Sequence, residues 1–205
     1  MKKLLMAIVV GAALTVAGTA QATTLIDFAG GITPSGTVTL TNGQIIGTQI
    51  HIGVMTIENT PNYPGTGNVF STVDAYLNFN SGTAGQNFTI VGSIGTPFNL
   101  SPATLLSGRI LGWEWNQGAV YLRTWGPDTK NADLLRAVGL PTSTPFEFAE
   151  FNLYGSKVAG SADTYTALSY DVRNTAVPVP EPGSMLLLGT GLFGLAGAVR
   201  RRMKK

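Results

Sequence analysis

Residues 37–41 alternate polar and apolar side chains as Thr-Val-Thr-Leu-Thr. Asn42-Gly43 follows, and Gln44 opens a return run in which Ile50, Ile52 and Val54 share one side and His51 takes the other. A period of two suits a strand with one wet and one buried face. Asn and Gly both tolerate positive φ, which the tight turn between two twisted strands requires. This hairpin commits the region to antiparallel β structure. Met55 and Ile57 then fall out of phase, which predicts a bulge near Val54.

The same signals recur downstream. Residues 59–68 (NTPNYPGTGN) read as a loop. Strands are expected at 74–79, 87–94, 104–115, 119–125, 146–154 and 165–173, with a turn at 81–86 and a hairpin connection at Asn116, Gln117 and Gly118. One short helix is expected over 128–138, capped by Asp128 or Asn131 and stopped by Gly139, with Pro141 beyond. Many short strands and one small helix give an all-β fold, an antiparallel β-sandwich or barrel, jelly-roll-like. No strict internal repeat points to a solenoid or propeller.

The charges are unevenly placed. Of 13 Lys and Arg, only six lie in residues 23–173, against ten of the 11 acids, so the formal net charge of +2 hides a body near −4. A mildly acidic body without a basic patch argues against nucleic acid as a partner, because phosphate neutralisation needs clustered cations. The chain has no cysteine. Thiol catalysis and thiolate metal sites are excluded, and disulfides cannot stabilise the fold.

Both ends read as targeting segments. Lys2 and Lys3 precede the apolar run 4–16, and Ala20-Gln21-Ala22 is a small-x-small cleavage site, the pattern of a secretory signal peptide. At the other end Pro178, Pro180 and Pro182 alternate with Val179 and Glu181. Proline fixes φ and pushes its predecessor out of the helical region, so this stretch is a stiff, exposed polyproline-II rod from which Glu181 projects. Residues 183–199 carry no charge. As a helix they span roughly 25 Å, slightly short of a typical hydrocarbon layer. Arg200, Arg201 and Arg202, with Lys204 and Lys205, form a stop-transfer cluster expected to stay cytoplasmic. The chain thus divides into a signal peptide (1–22), an exported β domain (23–173), a Pro-rich linker (174–182), a single transmembrane helix (183–199) and a basic tail (200–205).

Pro180-Glu181-Pro182-Gly183, an apolar helix and Arg200-Arg201-Arg202, in that order, resemble the PEP-CTERM sorting signal, also described as an ice-binding-protein C-terminal motif. The resemblance covers about the last 28 residues. It implies a Gram-negative, exopolysaccharide-producing bacterium and recognition by an exosortase, a membrane transpeptidase-like enzyme. Pro180, Glu181 and Pro182 would be the recognition residues. The protein would be held in the inner membrane facing the periplasm, then delivered to the cell surface or matrix. Residues 105–108, 126–134 and 174–177 resemble stretches in other proteins with this tail, which implies a shared fold.

The body offers little chemistry. His51 is the only histidine, so neither a catalytic triad nor a histidine metal centre can form. No nucleophile elbow, zinc-protease or calcium-loop motif occurs, and no cofactor, metal or catalytic residue is assigned. The acids Asp27, Asp74, Glu114, Glu147 and Glu150 are scattered, although a glycosidase needs two converging carboxyls. A single threonine row (Thr37, Thr39, Thr41) falls short of an ice-binding array. Trp113, Trp115, Tyr121 and Trp125 crowd onto one hairpin and form a candidate glycan platform. Register decides: a two-residue turn puts Trp113 and Trp115 with Leu122 in the core, whereas a three-residue loop puts them with Tyr121, Arg123 and Trp125. The expected function is non-enzymatic: binding or scaffolding exopolysaccharide at the surface or in the matrix of a biofilm. The alternatives are a secreted polysaccharide-acting hydrolase and a purely structural matrix component.

Overall fold

In the computed structural model the residues described are 24–30, 35–85, 87–117, 119, 121–177 and 190. The Asn42-Gly43 turn has φ of 49° and 72°, and β2 (Thr37–Thr41) pairs antiparallel with β3 (Gln44–Ile57) from Thr41 opposite Gln44. The expected bulge lies where the β3 register against β4 (Asn68–Asn80) shifts between Ile52 and Val54. β5 (Phe88–Ile94), β6 (Leu100–Gly108), β7 (Gly112–Asn116), β8 (Tyr121–Lys130), β9 (Phe146–Lys157) and β10 (Thr164–Ala176) follow, and β1 (Thr24–Gly30) precedes them.

The hydrogen-bonded path returns to its start. It runs from β3 through β4, β5, β6, β8 and β9 to β10. The free edge of β10 is then shared by two strands, β2 at Thr164, Tyr165 and Thr166 and β1 from Tyr170 to Thr175. Both also pair with β3, which closes the ring. β6 and β7 are likewise two stretches along one edge of β8. With β1 and β2 taken as one position and β6 and β7 as another, each neighbour in the ring is the next segment in sequence, an up-and-down barrel in which, among the described strands, β7 alone pairs on one side only. A jelly roll needs crossed connections, and the described strands make none. Of the expected sandwich or barrel the pairing gives the barrel, and the jelly-roll order is corrected to a meander.

Several boundaries also differ from expectation: β4 starts at Asn68 and β6 at Leu100, both earlier than expected, and two further differences have a clear local cause. The single strand expected over 104–115 is interrupted, because residues 109–111 face only Gly126 and Pro127, a bulge. Pro127 has no N–H to give to the ladder, so the regular pattern cannot continue there. Arg109 N donates to Pro127 O (3.0 Å) and Leu111 N to Trp125 O (2.9 Å) instead. Position 126 must be glycine, since a Cβ there would lie 1.8 Å from Arg109 O. The helix is shorter than expected: α1 spans Ala132–Ala137, and Asp128 and Lys130 belong to β8. Asn131 is the cap, its Oδ1 accepting from Asp133 N and Leu134 N. Gly139 follows at φ 83°.

The barrel is filled. Phe88 stacks on Phe148 at 4.5 Å and on Phe79 at 6.0 Å, and Phe151 meets Phe79 and Phe88 edge-on. Ile26, Phe28, Ile50, Ile52, Met55, Leu77, Ile90 and Val172 are fully buried around them. Leu134, Leu135 and Val138 of the helical segment join the same core. With no disulfide available, this apolar interior carries the fold.

The signal peptide, the sorting residues and the basic tail lie outside the described residues, as does the expected transmembrane helix apart from Thr190. Among the described residues, no helix is long and apolar enough to cross a membrane.

Candidate functional site

The register of the tryptophan hairpin is fixed by Asn116 opposite Tyr121, Trp115 opposite Leu122 and Trp113 opposite Thr124. Directly opposed residues of an antiparallel pair share a face. Leu122 and Thr124 are fully buried, so Trp113 and Trp115 point inward and pack on the core. The Trp115 ring sits 4.7 Å from buried Tyr165. Tyr121 and Trp125 occupy the other face. The four rings do not form one platform: the structure splits them two and two. The connection is longer than two residues but keeps the parity of a two-residue turn.

The outer face assembles a different set. Tyr121 lies opposite Tyr154 of β9, their rings 5.0 Å apart, and Tyr154 is 52% exposed. The Tyr121 hydroxyl donates to Asn152 Oδ1. Arg123 lies opposite Asn152 and holds its guanidinium 5.9 Å from the centre of the Trp125 ring. Aromatic faces beside amide and guanidinium groups can stack on the C–H side of a pyranose and hydrogen-bond its hydroxyls. Tyr154 and Asn152 escape a sequence reading focused on tryptophan. Their signal is the alternation of β9, which buries Phe151 and Leu153 and turns Asn152 and Tyr154 outward.

A second outer group links β1 and β10. Asp27 sits between buried Ile26 and Phe28, opposite Arg173, and hydrogen-bonds the carboxyl of Asp171, two pairs along on the same face. Arg173 Nε lies 3.5 Å from Asp171 Oδ2. Burial raises the Asp27 carboxyl to about 8, reinforced by the hydrogen bond and the charge of Asp171, with Arg173 and the Phe28 N–H opposing. An aspartate in an unfolded chain releases its proton near pH 4. Between these values the folded barrel holds a proton that the unfolded chain has lost. Stability from this site is therefore present at low pH and is lost as pH rises through about 8. Asp27→Asn stays neutral throughout. Melting curves from about pH 5 to about pH 8 should show a smaller fall in Tm for the variant than for the parent; parallel falls would contradict the raised carboxyl. Two carboxyls that hydrogen-bond each other are closer than the roughly 5–9.5 Å used in glycoside hydrolysis. Asp74, Glu114 and Glu147 are exposed on β4, β7 and β9, and His51 meets Tyr76 edge-on at 5.7 Å.

The interior holds one polar group that the sequence reading placed in a helix. Asp128 and Lys130 follow Leu122, Thr124 and Gly126 on the inward side of β8, and both side chains are fully buried. Lys130 Nζ contacts Asp128 Oδ1, donates to Asn174 Oδ1 of β10 at 2.8 Å, and lies 4.5 Å from the centre of the Phe146 ring. Asn174 Nδ2 donates to Val172 O at 2.7 Å. Asp128 Oδ2 has no hydrogen-bond partner. Burial drives Lys130 down to about 8 and pushes Asp128 up, each partly offset by the other's charge. The missed signal was the continuation of the period-two pattern through two charged residues.

Among the described residues, no group of three or more His, Asp or Glu could hold a metal. A surface depression of about 250 Å³ lies beside Gly85, Arg109, Pro127, Asp128 and Thr129. No curated protein and no solved structure matches the chain. One family does match, over residues 178–202, and its span contains the Pro180-Glu181-Pro182-Gly183 run and the three arginines. The chain therefore carries a PEP-CTERM protein-sorting motif, the signal of exported proteins processed by exosortase in Gram-negative bacteria.

Proposed function

We propose that this is a non-enzymatic protein of the cell surface or extracellular matrix, in which the barrel binds or scaffolds exopolysaccharide after exosortase has processed the tail. The sorting motif at 178–202 is the observation that carries the reading. In this reading a cleaved signal peptide exports the chain, and the apolar stretch 183–199 holds it in the inner membrane until processing. The outer strip of Tyr121, Tyr154 and Trp125, flanked by Arg123 and Asn152, is the surface offered to the glycan. The net negative body favours neutral over acidic polysaccharide, because like charges repel at close range.

The test uses the secreted chain and exopolysaccharide purified from the bacterium that makes it. Co-sedimentation should retain the parent and lose most of the Tyr154→Ala variant, since stacking on one aromatic ring is worth about 1–3 kcal/mol where planar rings are bound. No retention of the parent would leave only a scaffolding role without glycan contact. Retention unaffected by Tyr154→Ala would move the contact surface elsewhere on the barrel.

A further inference from the structure

Burying a lysine, an aspartate and an asparagine together in a largely apolar barrel is costly, and fold alone does not require it. Replacing such a group by apolar residues of like volume is often neutral or stabilising. The arrangement has a chemical meaning instead. Lys130 Nζ lies 2.8 Å from the side-chain oxygen of Asn174, which places the amine beside the amide carbon. The Phe146 ring lies alongside the amine, and no solvent reaches Lys130, Asp128 or Asn174 side chains. Asp128 touches the amine with one oxygen and leaves the other without a partner.

We propose that Lys130 and Asn174 join in an isopeptide bond inside the barrel, with release of ammonia and with Asp128 carrying the protons. The neutral amine attacks Asn174 Cγ while the Asp128 carboxyl gives its proton to Oδ1. Asp128 then takes one proton from Nζ and delivers it to Nδ2. The Cγ–Nδ2 bond breaks, ammonia leaves, and Oδ1 returns its proton to Asp128 as the carbonyl re-forms. Amine and carboxamide become amide and ammonia, so no oxidant, nucleotide or metal is consumed. The site supplies what the step needs. Burial favours the uncharged amine and the protonated carboxyl. The folded strands hold the reacting groups in contact, which replaces a bimolecular encounter by a positioned one. The dry surroundings exclude hydrolysis of the amide as a competing path. The bond would tie β8 to β10 across β9 in a chain that has no cysteine for the purpose.

Peptide mass spectrometry of the exported full-length chain tests this. Trypsin should fail to cut after Lys130, and the peptide containing it should appear joined to the one beginning at Asn174, the pair one ammonia lighter than the two alone. Asp128→Asn should fold to the same circular dichroism spectrum, regain cleavage after Lys130 and lose the joined pair. Asn174→Asp, should the first variant fail to fold, is expected to yield a pair lighter by one water instead. A folded parent with Lys130 freely cleaved overturns the proposal. So does a water-lighter product in the parent that joins Lys130 to Asp128.

Discussion

Phe148→Ala should lower the unfolding free energy by about 3–5 kcal/mol, the usual cost of emptying a buried phenylalanine site. The ring stacks on Phe88 at 4.5 Å with only 12° between planes, and it is fully buried. It also rests on the strand positions that have no side chain to follow it inward. A Cβ at Gly108 would come within 2.9 Å of Phe148, and one at Gly126 within 3.1 Å. Nothing nearby can swing into the space, because Phe79, Phe88 and Phe151 are already held ring against ring. Chemical denaturation of the exported barrel gives the number. Phe98→Ala is the comparison: that ring is only partly buried, packed with Tyr63 and Phe70 against the margin of the core, and its loss should cost less than half as much. Equal losses would mean that the Phe148 cluster is not the centre of the core.

Glu181→Gln should leave most of the chain unprocessed. The substitution keeps both prolines beside position 181 and the side-chain length, and removes only the charge. A single carboxylate between two prolines is best read by a desolvated cation in the processing enzyme. Losing one partner of such a pair costs about 2–5 kcal/mol, or roughly a thirty-fold to several-thousand-fold slower reaction. The readout is the C-terminus of the protein recovered from the membrane and the medium. The parent should end near Pro182, and the variant should retain Lys205. Processing of Glu181→Gln at the parent's rate would show that the enzyme reads the rod's shape and not its charge.

The parts of the fold legible in the sequence were those written in local chemistry. Asn42-Gly43 gave its turn because both residues accept positive φ, and Val54 marked its bulge because the apolar period broke there. Asn131, one of the two caps that the sequence offered, caps the helix. What stayed hidden depended on partners far away. β1 is short, carries no turn or hairpin signal of its own, and becomes a strand only by lying between β3 and β10. Closure of the ring required β1 and β2 to share one position, which no local pattern encodes. Asp128 and Lys130 looked like the polar start of a helix because charges seldom point into a core. For the tryptophans the two registers were both visible, and the connection after Asn116 chose between them. The sorting motif, in contrast, was readable in full, since an enzyme reads it as linear sequence.

The chain leaves β10 at Ala176, and the sorting motif begins two residues later at Pro178. Whatever tethers the tail therefore pulls first on β10, at its pairs with Phe146 and with Thr24. Under such a pull those pairs would be the first to be loaded. Drag on the barrel in flowing water would strain that corner before any other, and Asn174 stands two residues behind it.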